Sequence, residues 1–238
     1  MNEIIVYASE KSDGLADKII QSNSLSFCTD ISKTPVALQG EHRNRAIAQL
    51  ALASADTTVQ TDLYYLDTIL CSLGWNLNDD VFGKEQVFSA RHTIANKPIN
   101  LNHNSLQIVG HMIGSRLVDS SDSIVADDCD FENLPDEFDV VSSGVLYRGL
   151  KTDLEDIMSV VFSEIEEGLW KVSMESLFTD FAYAVVKPDG SSGLIHRTEE
   201  TAFLTKYLRA YGGTGMYGDY KLGRYMKNIV FSGKGLVK

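Results

Sequence analysis

Residues 106–118 read LQIVGHMIGSRLV, an apolar stretch interrupted by Gly110 and Gly114. Glycine weakens a helix interior, and the stretch is well short of the roughly 20 residues that a membrane span needs. It predicts a β-strand, with the glycines marking bulges or places where another backbone comes close. Residues 138–148 (FDVVSSGVLYR) predict a second strand. Between them lies a segment, 119–139, with nine carboxylates and no basic side chain. Its 119–137 part reads as a loop.

Around this strand-rich middle the pattern changes. Residues 2–8 predict a short opening strand, and 9–39 read as irregular. Residues 41–56 predict an alanine-rich helix, and 61–73 a second one, with Leu63, Leu66, Ile69, Leu70 and Leu73 on one face and Gly74 as its stop. A short helix is expected at 81–91. Thr152 and Glu155 form a capping box opening a helix to about Glu167, with Leu154, Ile157, Met158, Val161 and Ile165 inward. Residues 169–176 and 179–187 predict strands, and Pro188-Asp189-Gly190 a turn. A helix is expected over 198–211, a loop over 212–223 and a terminal strand from 228. Strands concentrated after a helical first third predict an α+β protein with a β core.

The formal charge of −12 disfavours nucleic acid as a partner, because an acidic surface repels phosphate. Residues 206–238 are nonetheless net basic, through Lys206, Arg209, Lys221, Arg224, Lys227, Lys234 and Lys238. The acidic and basic stretches read either as ordinary solvated surface or as an asymmetry that faces partners in an assembly. The N-terminus lacks the basic start and long apolar run of a secretory signal. Cys28, Cys71 and Cys129 are scattered, which predicts reduced thiols and no zinc site. The expectation is a protein with no membrane segment, no metal and no organic cofactor.

Nucleophilic catalysis needs a hydroxyl or thiol, a base within reach, and a group to orient that base. The histidines are His42, His92, His103, His111 and His196. His42 reads as exposed, His92 as a helix-end cation and His111 as a core residue. His103 follows an extended run and sits between Asn102 and Asn104, which can tie down backbone and hold an imidazole. Ser173 lies in an alternating strand, LWKVSMES, where a polar residue facing water is the plainer reading. GxSxG and GxxxxGK[ST] are missing, and the glycine-rich stretch that starts at Gly212-Gly213-Thr214-Gly215 has no apolar strand before it, which makes it a poor nucleotide loop.

The block Lys97-Pro98-Ile99-Asn100-Leu101-Asn102-His103-Asn104 with Ile108-Val109-Gly110-His111-Met112 resembles the P-V-x-x-N-H-D … I-G-x-I block of tailed-phage prohead proteases. Lys171-Val172-Ser173-Met174-Glu175 resembles their serine strand, and Phe231–Val237 their terminal strand. The resemblance covers about residues 96–118 and 168–187, with a weaker echo at the end. It implies a β-barrel core of mostly antiparallel strands flanked by helices, as in herpesvirus assemblins, in one protease-like domain spanning 1–238. Residues 40–95 would be a helical elaboration and 190–225 a helix-plus-loop insertion. It implies His103 as general base and Ser173 as nucleophile, with scaffold and major capsid proteins as substrates inside the procapsid and a homo-oligomer as one possible state. Many relatives carry an acid in the terminal strand, and Ser232-Gly233-Lys234-Gly235 has none. His196, as in assemblins, or Glu199 or Glu200 would be the third member. Gly110 or Gly114 would give substrate close access. The competing reading is a non-catalytic capsid or scaffold-associated protein with the same fold.

Overall fold

The computed structural model describes residues 4–21, 24–30, 62–121, 123–148 and 155–238. The expected helix over 41–56, with His42, and the Thr152 cap lie outside them. The chain divides into two compact units, one of Met1–Leu25, Leu73–Ala90 and Leu177–Val230, the other of Ser26–Ser72, Arg91–Ser176 and Phe231–Lys238. The architecture is α+β, with a curled, mostly antiparallel sheet forming a half-barrel and few helices.

The half-barrel belongs to the second unit. Its strands are β1 (Ser24–Asp30), β2 (Leu63–Ser72), β5 (Pro98–Leu101), β6 (Asn104–Asp119), β8 (Phe138–Tyr147), β9 (Lys171–Leu177) and β14 (Val230–Val237), in the order β1-β9-β14-β5-β6-β8-β2, with β7 (Ile124–Val125) on β6. The β5–β14 pair is parallel, and β5–β6, β6–β8 and β2–β8 are antiparallel. Three strands separate β14 from β2 in that order. Lys234 on β14 nevertheless donates from Nζ to the Thr68 hydroxyl on β2, and to the Ile69 carbonyl at 3.0 Å. Only strong curling brings the two strands together. Lys234 is fully buried, and that burial pushes its amine down to about 7, against the opposing pull of Asp67.

The two strands expected in the middle are β6 and β8, and both glycine expectations hold there. A Cβ on Gly110 would lie 2.0 Å from the Val145 carbonyl oxygen, so Gly110 serves close packing of β6 on β8. Gly114 adjoins a bulge in the same pairing and has open space around it. The helix expected over 61–73 is instead β2. Leu66, Thr68 and Leu70 are buried in alternation. A spacing of four, as between Leu66 and Leu70, fits a period of 2 as well as 3.6, while Tyr64, Tyr65, Thr68 and Ile69 favour a strand. The expected helix after Thr152 is present as a helix of Glu155–Glu166, with Met158, Val161 and Ile165 buried and Ile157 exposed.

The first unit has a sheet ordered β11-β10-β13-β4-β3, built from β3 (Gly74–Trp75), β4 (Asp80–Phe82), β10 (Asp180–Val186), β11 (Ser192–Ile195) and β13 (Tyr220–Lys227), with β12 (Met216–Tyr217) on β13. Its helices are α1 (Ala8–Ser12), α2 (Ala16–Gln21) and α3 (Lys84–Ala90). Ala8 begins α1, and the described residues before it, 4–7, form no strand, against the expectation for 2–8. The helix expected over 198–211 is two 3-10 segments, Ala202–Tyr207 and Arg209–Tyr211, and the loop expected over 212–223 holds the β12–β13 hairpin. A buried ion pair ties α1 to this unit. Arg197 donates Nε to Glu10 Oε1 at 2.7 Å and Nη2 to Oε2 at 2.6 Å, and it stacks on Tyr7 and Phe181. Among the described residues no helix is long and apolar enough to cross a membrane, and no cluster of candidate metal ligands occurs.

Candidate functional site

His103 sits at the tip of the β5–β6 hairpin. Leu101 pairs with Asn104, leaving Asn102 and His103 as a two-residue turn with φ of 52° and 59°. Positive φ at both central positions defines a type I′ turn, which suits the right-handed twist of the flanking strands. Asn and His enter this region more readily than most side chains. The Asn102 N–H donates to the Leu236 carbonyl at 2.8 Å, which pins the tip to β14.

The imidazole then meets a carboxylate. His103 Nδ1–H donates to Glu175 Oε1 at 2.7 Å, with the ring side chain 37% exposed. Asn100 on β5, 4% exposed, donates Nδ2–H to the same oxygen at 2.9 Å. A carboxylate only accepts, so the contact places the proton on Nδ1 and leaves Nε2 as the ring's acceptor nitrogen.

Glu175 is on β9, and Asn100 is on β5, with β14 between them. Two strand spacings amount to about 9.5 Å, which Glu175 bridges by lying over β14. The residues under it are Gly233 and Gly235. A Cβ on Gly233 would come 3.0 Å from Glu175 Oε2, and one on Gly235 would come 3.0 Å from His103 Nδ1 and Cε1. The glycines of the terminal strand thus form a flat floor on which the acid and the imidazole meet.

Ser173 is two residues before Glu175 on β9, so alternation puts both side chains on one face, about 6.6 Å apart along the strand. Ser173 is 0% exposed. His196 belongs to the other unit and is exposed, and its carbonyl accepts from the Thr201 hydroxyl at 2.6 Å. Glu199 and Glu200 are in that unit too, accepting from the Ala8 N–H and the Thr198 hydroxyl. The group that the structure brings to His103 is Glu175. Its place in the sequence carried a signal: an acid two residues after the serine on a strand shares the serine's face. Asn100 had no such signal, since its contact depends on β9 and β5 flanking one strand.

His111 Nδ1 lies 2.9 Å from the Tyr147 hydroxyl, so the ring is satisfied by a polar partner across β6 and β8, at a half-buried position. Burial pushes His92 below the usual imidazole range, and neighbouring Arg91 adds to this. Cys71 is buried, with its thiol pushed far up by desolvation, which makes it a poor nucleophile. A cavity of about 110 Å³ is lined by Ser115, Arg116, Asp127, Ser143 and their neighbours, and takes in neither His103, Ser173 nor Glu175. Comparison with protein-family models, characterised proteins and solved structures finds no match for this chain.

Proposed function

We propose that this chain is a serine endopeptidase of the prohead-maturation kind, with a fold related to the herpesvirus proteases, and that Glu175 orients its general base. The observation that carries the reading is the 2.7 Å contact from His103 Nδ1 to Glu175 Oε1, shared with Asn100. In this reading Ser173 Oγ attacks the scissile carbonyl while His103 Nε2 takes its proton. Glu175 stabilises the imidazolium that forms, and His103 then protonates the leaving amine. Water hydrolyses the acyl-enzyme by the same path. The substrates are scaffold and capsid proteins within the procapsid.

The burial of Ser173 favours a second reading, a non-catalytic capsid or scaffold-associated protein. A buried hydroxyl reacts only after its cover moves. A fluorophosphonate probe separates the two. Labelling of the wild type, lost in Ser173→Ala and in His103→Ala, is expected of the protease. Equal labelling of wild type and Ser173→Ala removes Ser173 as nucleophile, and no labelling at all favours the structural protein.

A further inference from the structure

The sheet of the first unit ends, among the described residues, on β11. All four of its residues are exposed, with Leu194 at 53% and Ile195 at 37%. A Cβ on Gly193 would meet nothing within 4 Å, so the face that Gly193 presents is uncovered. Its inner edge is in register with β10, from Val186↔Ser192 to Tyr183↔Ile195. Lys187 donates its N–H to the Ser191 carbonyl at 2.8 Å where the hairpin closes. Antiparallel pairs alternate between hydrogen-bonded and non-bonded. Counting from Lys187–Ser191, Ser192 and Leu194 turn their N–H and C=O groups outward.

An open edge with exposed apolar side chains is a template for another strand, and proteins normally block it with charge or proline. Residues 190–196 (GSSGLIH) contain neither. We infer that β11 pairs antiparallel with β11 of a second copy, Ser192 against Leu194 of that copy and Gly193 against Gly193. This register uses both outward-facing residues of each strand. On a chain of net charge −12 it joins copies through an uncharged stretch. It also sets the turn of one copy, with exposed Lys187, beside the stretch after β11 of the other, with exposed Glu199 and Glu200, a contact complementary in sign that follows from the two-fold axis.

Four residues a side bury less than the roughly 800 Å² per partner of a stable interface, so the dimer is weak, with Kd on the order of 100 µM. Sedimentation equilibrium of the full chain is expected to show a monomer–dimer equilibrium. Leu194→Lys and Ser192→Pro each weaken it by about tenfold or more, with circular dichroism unchanged. Amide exchange on the wild type gives a reading without mutation: the Ser192 and Leu194 N–H groups slow as concentration rises, and those of Gly193 and Ile195 do not. A chain monomeric at roughly 500 µM overturns the inference, as does a dimer that both variants leave intact.

Discussion

Lys234→Met tests whether the half-barrel is closed by a buried amine. Folding lowers the Lys234 pKa from 10.5 to about 7, mainly through desolvation. The unfolded chain therefore binds this proton more tightly than the folded one, and Lys234 lowers stability at every pH below its unfolded pKa. At about 1.36 kcal/mol per unit, that penalty is on the order of 5 kcal/mol below pH 7 and fades as pH rises toward 10.5. Methionine removes the penalty but leaves the Thr68 hydroxyl and Ile69 carbonyl without this donor, at a cost of about 1–3 kcal/mol. The variant is thus expected to be more stable than wild type at pH 6.5 by roughly 2–4 kcal/mol. The gap should close by about 2 kcal/mol by pH 8.5. Urea unfolding followed by fluorescence of Trp170, buried in the same unit, measures this difference. Cys71 is common to both proteins and cancels. Parallel stability curves from pH 6.5 to 8.5 would refute the assignment of a depressed, buried amine.

Gly110 and Gly114 look alike in sequence but should respond oppositely to alanine. Gly110→Ala drives a Cβ into the Val145 carbonyl and should cost about 3 kcal/mol or more, whereas Gly114→Ala should fall within about 1 kcal/mol of wild type by urea denaturation. Arg197→Leu strands Glu10 in the first unit, and a loss of about 3–5 kcal/mol is expected in thermal unfolding, partly restored by Glu10→Leu in the same chain. If the proposed chemistry is right, Glu175→Gln keeps the fold and lowers kcat by roughly 10³–10⁴-fold, as loss of the orienting acid does in serine proteases. An unchanged kcat would remove Glu175 from the mechanism.

The β core was legible because its signals are local. The apolar runs that became β6 and β8 carry glycines where strands crowd or bulge, and Lys187-Pro188-Asp189-Gly190 closes β10 onto β11 through Gly190 at φ 82°. β2 reads wrongly as a helix because leucines four apart satisfy both periodicities, and the strand signal lies in the aromatic and β-branched residues Tyr64, Tyr65, Thr68 and Ile69 between them. The 3-10 segments after Thr198 show a different limit. Acids at a helix start and a glycine stop at Gly212 mark the boundaries of a helical stretch, but its winding is set by packing, here the buried Leu204, Thr205 and Leu208. Lys234 gave no sign of burial, since a lone lysine in a terminal strand normally faces water.

At the site, the sequence pointed to His103 and Ser173 but left the third member open, because the terminal strand lacks the acid that the resemblance leads one to expect. The structure ties that absence to something present. Gly233 and Gly235 occupy the face of β14 that lies against Glu175 and His103, and Glu175 reaches over β14 from β9 to His103. If the resemblance holds, an acid on β14 and glycines on β14 are alternative ways to place a carboxylate against one imidazole. The second works only if both floor positions stay small. In Gly235→Ala the new methyl lies against His103 Nδ1 and Cε1. A half-exposed ring on a turn yields before a strand does, so the imidazole should shift off Glu175 while the fold survives. If the proposed chemistry is right, activity falls with stability within about 1 kcal/mol of wild type. An active Gly235→Ala enzyme would show that the meeting of His103 and Glu175 is only the architecture of a tight turn.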